Sequence, residues 1–185
     1  MIEKTRATAM PIPDDALTGF DHVRGDAQAT LTLLEYGDYE CPTCIQAQPL
    51  TQHLVDSHDG QLRFVFRHFP LVEVHPHAEL AAEAAEAAAA QGRFWSMHER
   101  LFTQTHHLGL AALTGYAEAI GLDMIRFSAE MADRVYTQRV QEHRRAGQQS
   151  RVRATPAFFL DGRSVDVSFG FDKLEAALHN ALRNA

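Results

Sequence analysis

Only two cysteines occur in the 185 residues, Cys41 and Cys44. A structural zinc usually takes four ligands, and no second C-x-x-C is present to complete such a set. No stretch reaches the roughly 18 apolar residues of a membrane helix, so no span is expected. The N-terminus, Met1-Ile2-Glu3-Lys4-Thr5-Arg6, lacks the apolar run of about 7–15 residues that marks a secretory signal. Taken at face value this predicts a cytoplasmic protein, or a periplasmic or extracytoplasmic one if a signal has been trimmed. Positive charge is also short. Lys and Arg number 17 against 24 Asp and Glu, for a net charge of −7. Nucleic acid is therefore not an expected partner, because phosphate binding needs a basic face. The single Trp95 and the phenylalanines read as core residues, not as a base-stacking platform. A hydrophobic content of 45% with 22% charged residues is ordinary for a soluble globular chain, and the length suits one domain with a sizeable core.

Residues 31–44, LTLLEYGDYECPTC, stand out. Leu31-Thr32-Leu33-Leu34 is a short apolar run in β-favouring company. It passes through Glu35, Tyr36, Gly37 and Asp38 into Cys41-Pro42-Thr43-Cys44. The thiolate is the reactive form of cysteine, and a free thiol is mostly protonated at neutral pH. Cys41 falls at a helix N-terminus, where unpaired N–H groups and the helix dipole favour an anion. Pro42 suits the first turn, where it loses no donor. Cys44 lies three residues on, on the same helix face and within disulfide reach. Cys41 then reads as the exposed attacking sulfur and Cys44, one turn deeper, as the resolving one. Half of a zinc site and an inert buried pair are the alternatives.

Around this stretch the chain reads in order. Residues 1–20 form a surface arm, followed by a short strand near His22-Val23-Arg24 and a turn at Gly25-Asp26. A central strand covers 30–36. A helix covers about 42–57, with Pro49 expected to kink it. Residues 62–69 alternate with period two and form a strand. This strand–helix–strand unit implies parallel pairing and a right-handed crossover. Residues 76–91 form an alanine-rich helix stopped by Gly92. Further helices are expected at 94–104, 110–120, about 123–131 and 133–149. The block from about 76 to 150 is therefore a helical insertion within a single domain spanning 1–185. A strand at 157–160, a hairpin turn at Asp161-Gly162, a return strand at 164–169 and an amphipathic helix at 173–183 complete the chain. The fold class is α/β, a central mixed β-sheet flanked by helices, with the insertion between its βαβ and ββα halves.

Three separated stretches carry a resemblance to the DsbA-like branch of the thioredoxin superfamily. They are EYGDYECPTC; Arg67-His68-Phe69-Pro70 followed by His75-Pro76; and Ala154-Thr155-Pro156-Ala157-Phe158-Phe159-Leu160-Asp161-Gly162. The resemblance implies a thioredoxin fold and a disulfide oxidoreductase acting on protein or peptide thiols and disulfides. A redox-recycling partner would restore it, and no cofactor is needed beyond the Cys41–Cys44 disulfide. It implies Cys41 as nucleophile, with a mixed disulfide forming there, and Cys44 as resolving thiol. Pro156 is the implied cis-proline, and Thr155 before it pairs with substrate backbone. Glu35 is the implied buried acid that shuttles protons to Cys44. Pro42 and Thr43 tune the couple. Relatives often carry Gly-Val-x-Gly before Thr-Pro. Here Arg151-Val152-Arg153-Ala154 stands instead, which brings Arg153 forward as a possible stabiliser of the thiolate.

Each assignment has a plainer counterpart. Glu35 is then a strand-end carboxylate met by solvent or an arginine, Arg153 a solvated charge, and Pro156 a loop proline. His68, His75 and His77, and the pair His106-His107, invite a metal reading. No spacing among them makes a recognised site, and no metal is expected. Two other functions stay open. One is a non-catalytic thioredoxin-like binding or accessory domain, as found fused to transporters. The other is a glutathione-dependent transferase or isomerase, against which Cys44 argues.

Overall fold

The structure, a computed structural model, describes residues 17–104 and 107–184. Most of the expected N-terminal arm and His106 lie outside the described residues. Strands β1 (His22–Arg24) and β2 (Leu31–Gly37) come first, then helix α1 (Pro42–Ser57) and β3 (Leu62–His68). Five helices follow: α2 (Ala78–Ala89), α3 (Phe94–Thr103), α4 (Leu110–Ala119), α5 (Met124–Ala132) and α6 (Thr137–Gln149). The chain closes with β4 (Ala157–Leu160), β5 (Arg163–Val165) and α7 (Asp172–Leu182). The strands form one sheet in the order β1-β3-β2-β4-β5. β2 is central, parallel to β3 and antiparallel to β4. This is a thioredoxin-like sheet, with the helical block between its two halves.

All seven residues of β2 are buried, because helices cover both faces of the sheet. Its side chains alternate between the two. Leu31 and Leu33 enter the larger core with residues of α1, α3 and α7. Leu34 and Tyr36 enter a smaller one with Val65, Phe69 and Phe159. Helix α6 lies against this second core at Gly147, where a Cβ would fall 2.7 Å from Phe69 Cδ2. Glu35 is on the larger-core face, two residues beyond Leu33. The pleat therefore carries its carboxyl inward.

Nine of the twelve residues of α2 are buried. Its small side chains let α3, α4, α5 and α6 all pack around it. It begins at Ala78, later than the expected residue 76, because Pro76-His77 forms a turn. α1 continues through Pro49.

Three expectations need correction. The long helix at 133–149 starts only at Thr137. Residues 133–136 turn, with Arg134 at φ 53°. Tertiary pairing decides this, since Arg134 donates to the buried carboxylate of Glu83 at 2.8 and 2.9 Å and to Glu79 at 3.0 Å. The return strand ends at Val165, because Asp166 accepts from the Ser168 N–H at 3.0 Å and folds the chain into a turn. Trp95 is only partly buried. It covers the sheet edge instead, donating its indole N–H to the Val23 carbonyl at 3.2 Å under the Arg24 guanidinium. The expected hairpin is present, and Asp161 and Gly162 both take positive φ, as a two-residue hairpin turn requires. No helix among the described residues is long and apolar enough to cross a membrane.

Candidate active site

The site lies where β2 ends and α1 begins. Cys41 is the N-cap residue of α1, with Pro42 in the first turn. Cys44 follows one turn on. Both are free thiols. Cys44 has no solvent exposure. Cys41 retains 6%, so it is the outer sulfur but far less open than expected. The reason is the loop before β4, where the Thr155–Pro156 peptide bond is cis. Cys41 Sγ lies 3.3 Å from the Thr155 carbonyl oxygen, which accepts from it when the thiol is protonated.

The two sulfurs are treated in opposite ways. The Cys41 pKa is lowered to about 4, chiefly by a hydrogen bond from the Cys44 thiol. Burial opposes this shift, while the Thr155 side chain and the N–H groups of Cys44 and Thr43 add to it. Cys44 is pushed well above the usual thiol range by burial first, then by donating to Cys41 and by the charge on Glu35. The Asp38 N–H, 3.5 Å from Cys44 Sγ, acts in the other direction.

Glu35 is 1% exposed, and neither carboxyl oxygen has a partner among the described residues. Burial, with a smaller contribution from the Cys41 charge, raises its pKa to about 8. Gly37 makes room for it. A Cβ there would lie 3.1 Å from Glu35 Oε1 and would collide with the Phe66 ring. Among the described residues, Glu35 meets neither solvent nor an arginine.

The motif reading missed one pair. Asp38 Oδ2 contacts His75 Nδ1 at 2.8 Å and accepts from the Leu71 N–H at 2.8 Å, and Asp38 Oδ1 accepts from the Glu40 N–H at 2.8 Å. Burial alone would lower the His75 pKa, but the bond and charge of Asp38, with the charges of Cys41 and Glu40, raise it. That coupling is mutual, so His75 in its protonated form favours the Cys41 thiolate. Removing it by His75→Gln is expected to raise the Cys41 pKa by about one unit. Ultraviolet titration of the thiolate checks this, and an unmoved midpoint would remove His75 from the site. Both partners lie inside stretches singled out in the sequence, but a pairing across 37 positions leaves no local signal.

Pro42 and Thr43 are exposed on the first turn of α1. Arg153 is exposed, and no charge from it contributes among the chief causes of the Cys41 shift. It lines a cavity beside the loop instead. The three histidines weighed for metal part company, since His68 meets Glu86 at 2.9 Å, His75 meets Asp38, and His77 meets Glu40 at 3.2 Å. A different trio has ligand atoms near one another: His22 Nε2, His68 Nε2 and Glu86 Oε1. A metal-bound histidine hands its other ring N–H to an acceptor. His68 Nδ1 has no partner among the described residues. The trio instead fits a buried carboxylate receiving two ring N–H groups, at 2.8 and 2.9 Å.

Comparison with known proteins agrees with this geometry. The family model described as Thioredoxin matches residues 17–180. The solved structure of a thioredoxin-like oxidoreductase from Silicibacter pomeroyi superposes with a TM-score of 0.79 at 26% identity, covering 91% of this chain and 95% of that one. BdbD from Bacillus subtilis superposes at 0.78 and 20% identity, covering 89% and 94%. The curated Na(+)/H(+) antiporter NhaA 1 of Salinispora arenicola is 45% identical over 161 residues, which are 87% of this chain but 24% of that protein. The chain thus spans about a quarter of the length of this curated relative. With its mixed five-stranded sheet, its helical insertion and a family match across almost all described residues, the chain belongs to the thioredoxin family.

Proposed function

We propose that the protein is a thiol–disulfide oxidoreductase that works on polypeptide thiols and disulfides through Cys41 and Cys44. The unlike state of two sulfurs on one helical turn carries the reading. Cys41 is outermost and held as a thiolate. Cys44 is sealed and held as a thiol. A stabilised Cys41 thiolate stabilises the reduced pair, which makes the disulfide an oxidant.

In that direction a substrate thiolate attacks Cys41 Sγ and the Cys41–Cys44 bond breaks. Cys44 leaves and takes a proton from Glu35, which is protonated at neutral pH. A second substrate thiolate then attacks the substrate sulfur of the mixed disulfide, and Cys41 departs as a thiolate. Two electrons pass from substrate to the pair, and a recycling partner removes them. Thr155 and Pro156 offer an edge for extended substrate backbone. Pro42 starts the helix whose Thr43 N–H faces the sulfur. No dissociable cofactor takes part. Such an oxidant suits an oxidising compartment better than the cytoplasm expected from the N-terminus.

The antiporter relative favours a second reading, a non-catalytic accessory domain beside a transporter. The reduction potential separates the two. The protein is equilibrated with glutathione buffers, and its alkylated thiols are counted by mass spectrometry. A value nearer about −120 mV than about −270 mV is expected from the low Cys41 pKa. A value near the lower figure would make the protein a reductant. Absence of a reversible couple would leave the accessory reading.

A further inference from the structure

Beside the cis-proline loop lies a cavity of about 430 Å³ that the chemistry above leaves unused. Phe69, Leu71 and Val152 give it apolar lining, and Arg144, Arg151 and Arg153 give it charge. Three guanidiniums at one cavity are unexpected in a chain of net charge −7. Arg144 donates from Nη2 to Glu73 at 2.7 Å, but its Nε is buried without a partner among the described residues. The side chains of Arg151 and Arg153 are exposed and have no hydrogen-bond or ion-pair partner among the described residues.

The backbone adds a second observation. α6 ends in a turn in which the Val152 N–H reaches the Gly147 carbonyl at 2.8 Å and Arg151 takes φ 62°. Glycine is the usual residue at such a helix end. Arginine stands there at a conformational cost, beside the cavity that its side chain lines. Arg153 is two residues before Thr155, whose carbonyl meets Cys41 Sγ. Substrate backbone paired at Thr155 therefore runs within two residues of this charge.

Resting on the exchange reading above, we propose that this cavity is a substrate subsite for an acidic side chain, Asp or Glu, flanking the reacting cysteine. Guanidinium groups bind carboxylates as paired, charge-assisted hydrogen bonds. The Glu73–Arg144 contact already shows this chemistry in the cavity wall. Apolar lining beside the charges strengthens the attraction.

The test uses the oxidised full chain and two cysteine peptides that differ only in Glu or Gln two residues from the cysteine. The rate read is that of mixed-disulfide formation at Cys41. The Glu peptide is expected to react about fivefold faster, with the preference shrinking as salt is added. The double variant Arg151→Gln/Arg153→Gln should bring the ratio of the two rates close to one. Using the ratio cancels any change in the disulfide's own reactivity. Arg126→Gln, on the exposed face of α5, should leave the ratio unchanged. Equal rates for the two peptides with the wild-type chain, or a preference that survives the double variant, would overturn the subsite alone. No reaction with either peptide would overturn the exchange reading and the subsite together.

Discussion

Cys41→Ser is expected to abolish both dithiol oxidation and disulfide reduction, whereas Cys44→Ala converts the protein into a trap. The difference follows from which sulfur a substrate can reach. Cys44 has no exposed surface, and its proton is held by burial and by the neighbouring Glu35. A substrate meets only Cys41, which keeps a thiolate at neutral pH. With Cys44 gone, Cys41 still attacks a substrate disulfide, but no second thiol is positioned to release the product. The adduct accumulates with one substrate per chain. Alanine at 44 adds no polar group to the core, so the variant should fold. Mass spectrometry under non-reducing conditions reads the result directly. An adduct on the Cys41→Ser protein instead would reverse the two roles. Residual turnover with Cys41 absent would exclude the pair as the redox centre.

Much of this could be seen in local signals. The strand before C-x-x-C, the proline in the first helical turn, the period-two strand at 62–69 and the Asp161-Gly162 turn each depend on neighbouring residues, and each is where expected. What escaped was decided across long separations. Arg134 breaks a regular helical pattern because Glu83 and Glu79 lie across the fold from it. Asp38 and His75 meet only once β2 and the segment after β3 are side by side. The small exposure of Cys41 depends on a loop that arrives 114 positions later. Arg153 illustrates the converse. Its place in the sequence beside Thr155 suggested help for the thiolate, yet its side chain is at the cavity next door. Sequence proximity located the loop, but not the direction of the side chain.

The carboxyl of Glu35 should control both the rate of resolution and its pH dependence. Cys44 must lose a proton to attack a mixed disulfide on Cys41, and its own pKa lies far above neutrality. Glu35 is the buried base beside it, so Glu35→Gln should slow resolution at pH 7 by about 100-fold. In the wild type, resolution should accelerate with pH as the carboxylate forms. It should level off below about 8, because the mixed disulfide removes the Cys41 charge that helps to raise Glu35. The variant should show no such plateau, and the gap between the two should narrow as alkali ionises Cys44 directly. A pH-independent gap would reduce Glu35 to a packing role.

Stability gives an independent check. In the reduced protein Glu35 has a folded pKa raised to about 8 against an ordinary 4.5. Below pH 4.5 both states hold the proton and nothing is lost. Between pH 4.5 and 8 the unfolded chain releases it while the folded chain keeps it, so Glu35 lowers stability by about 1.4 kcal/mol per pH unit. Cys41 acts oppositely. Its lowered pKa makes the reduced fold gain stability from about pH 4 up to the ordinary thiol value of 9.0. The two slopes counteract each other in the wild type. Glu35→Gln should remove the falling slope, so urea midpoints of the reduced variant should rise more steeply than those of the wild type as pH goes from 5 to 8. Oxidation to the disulfide should take Cys41's share out of that rise, because Cys41 then has no proton to lose.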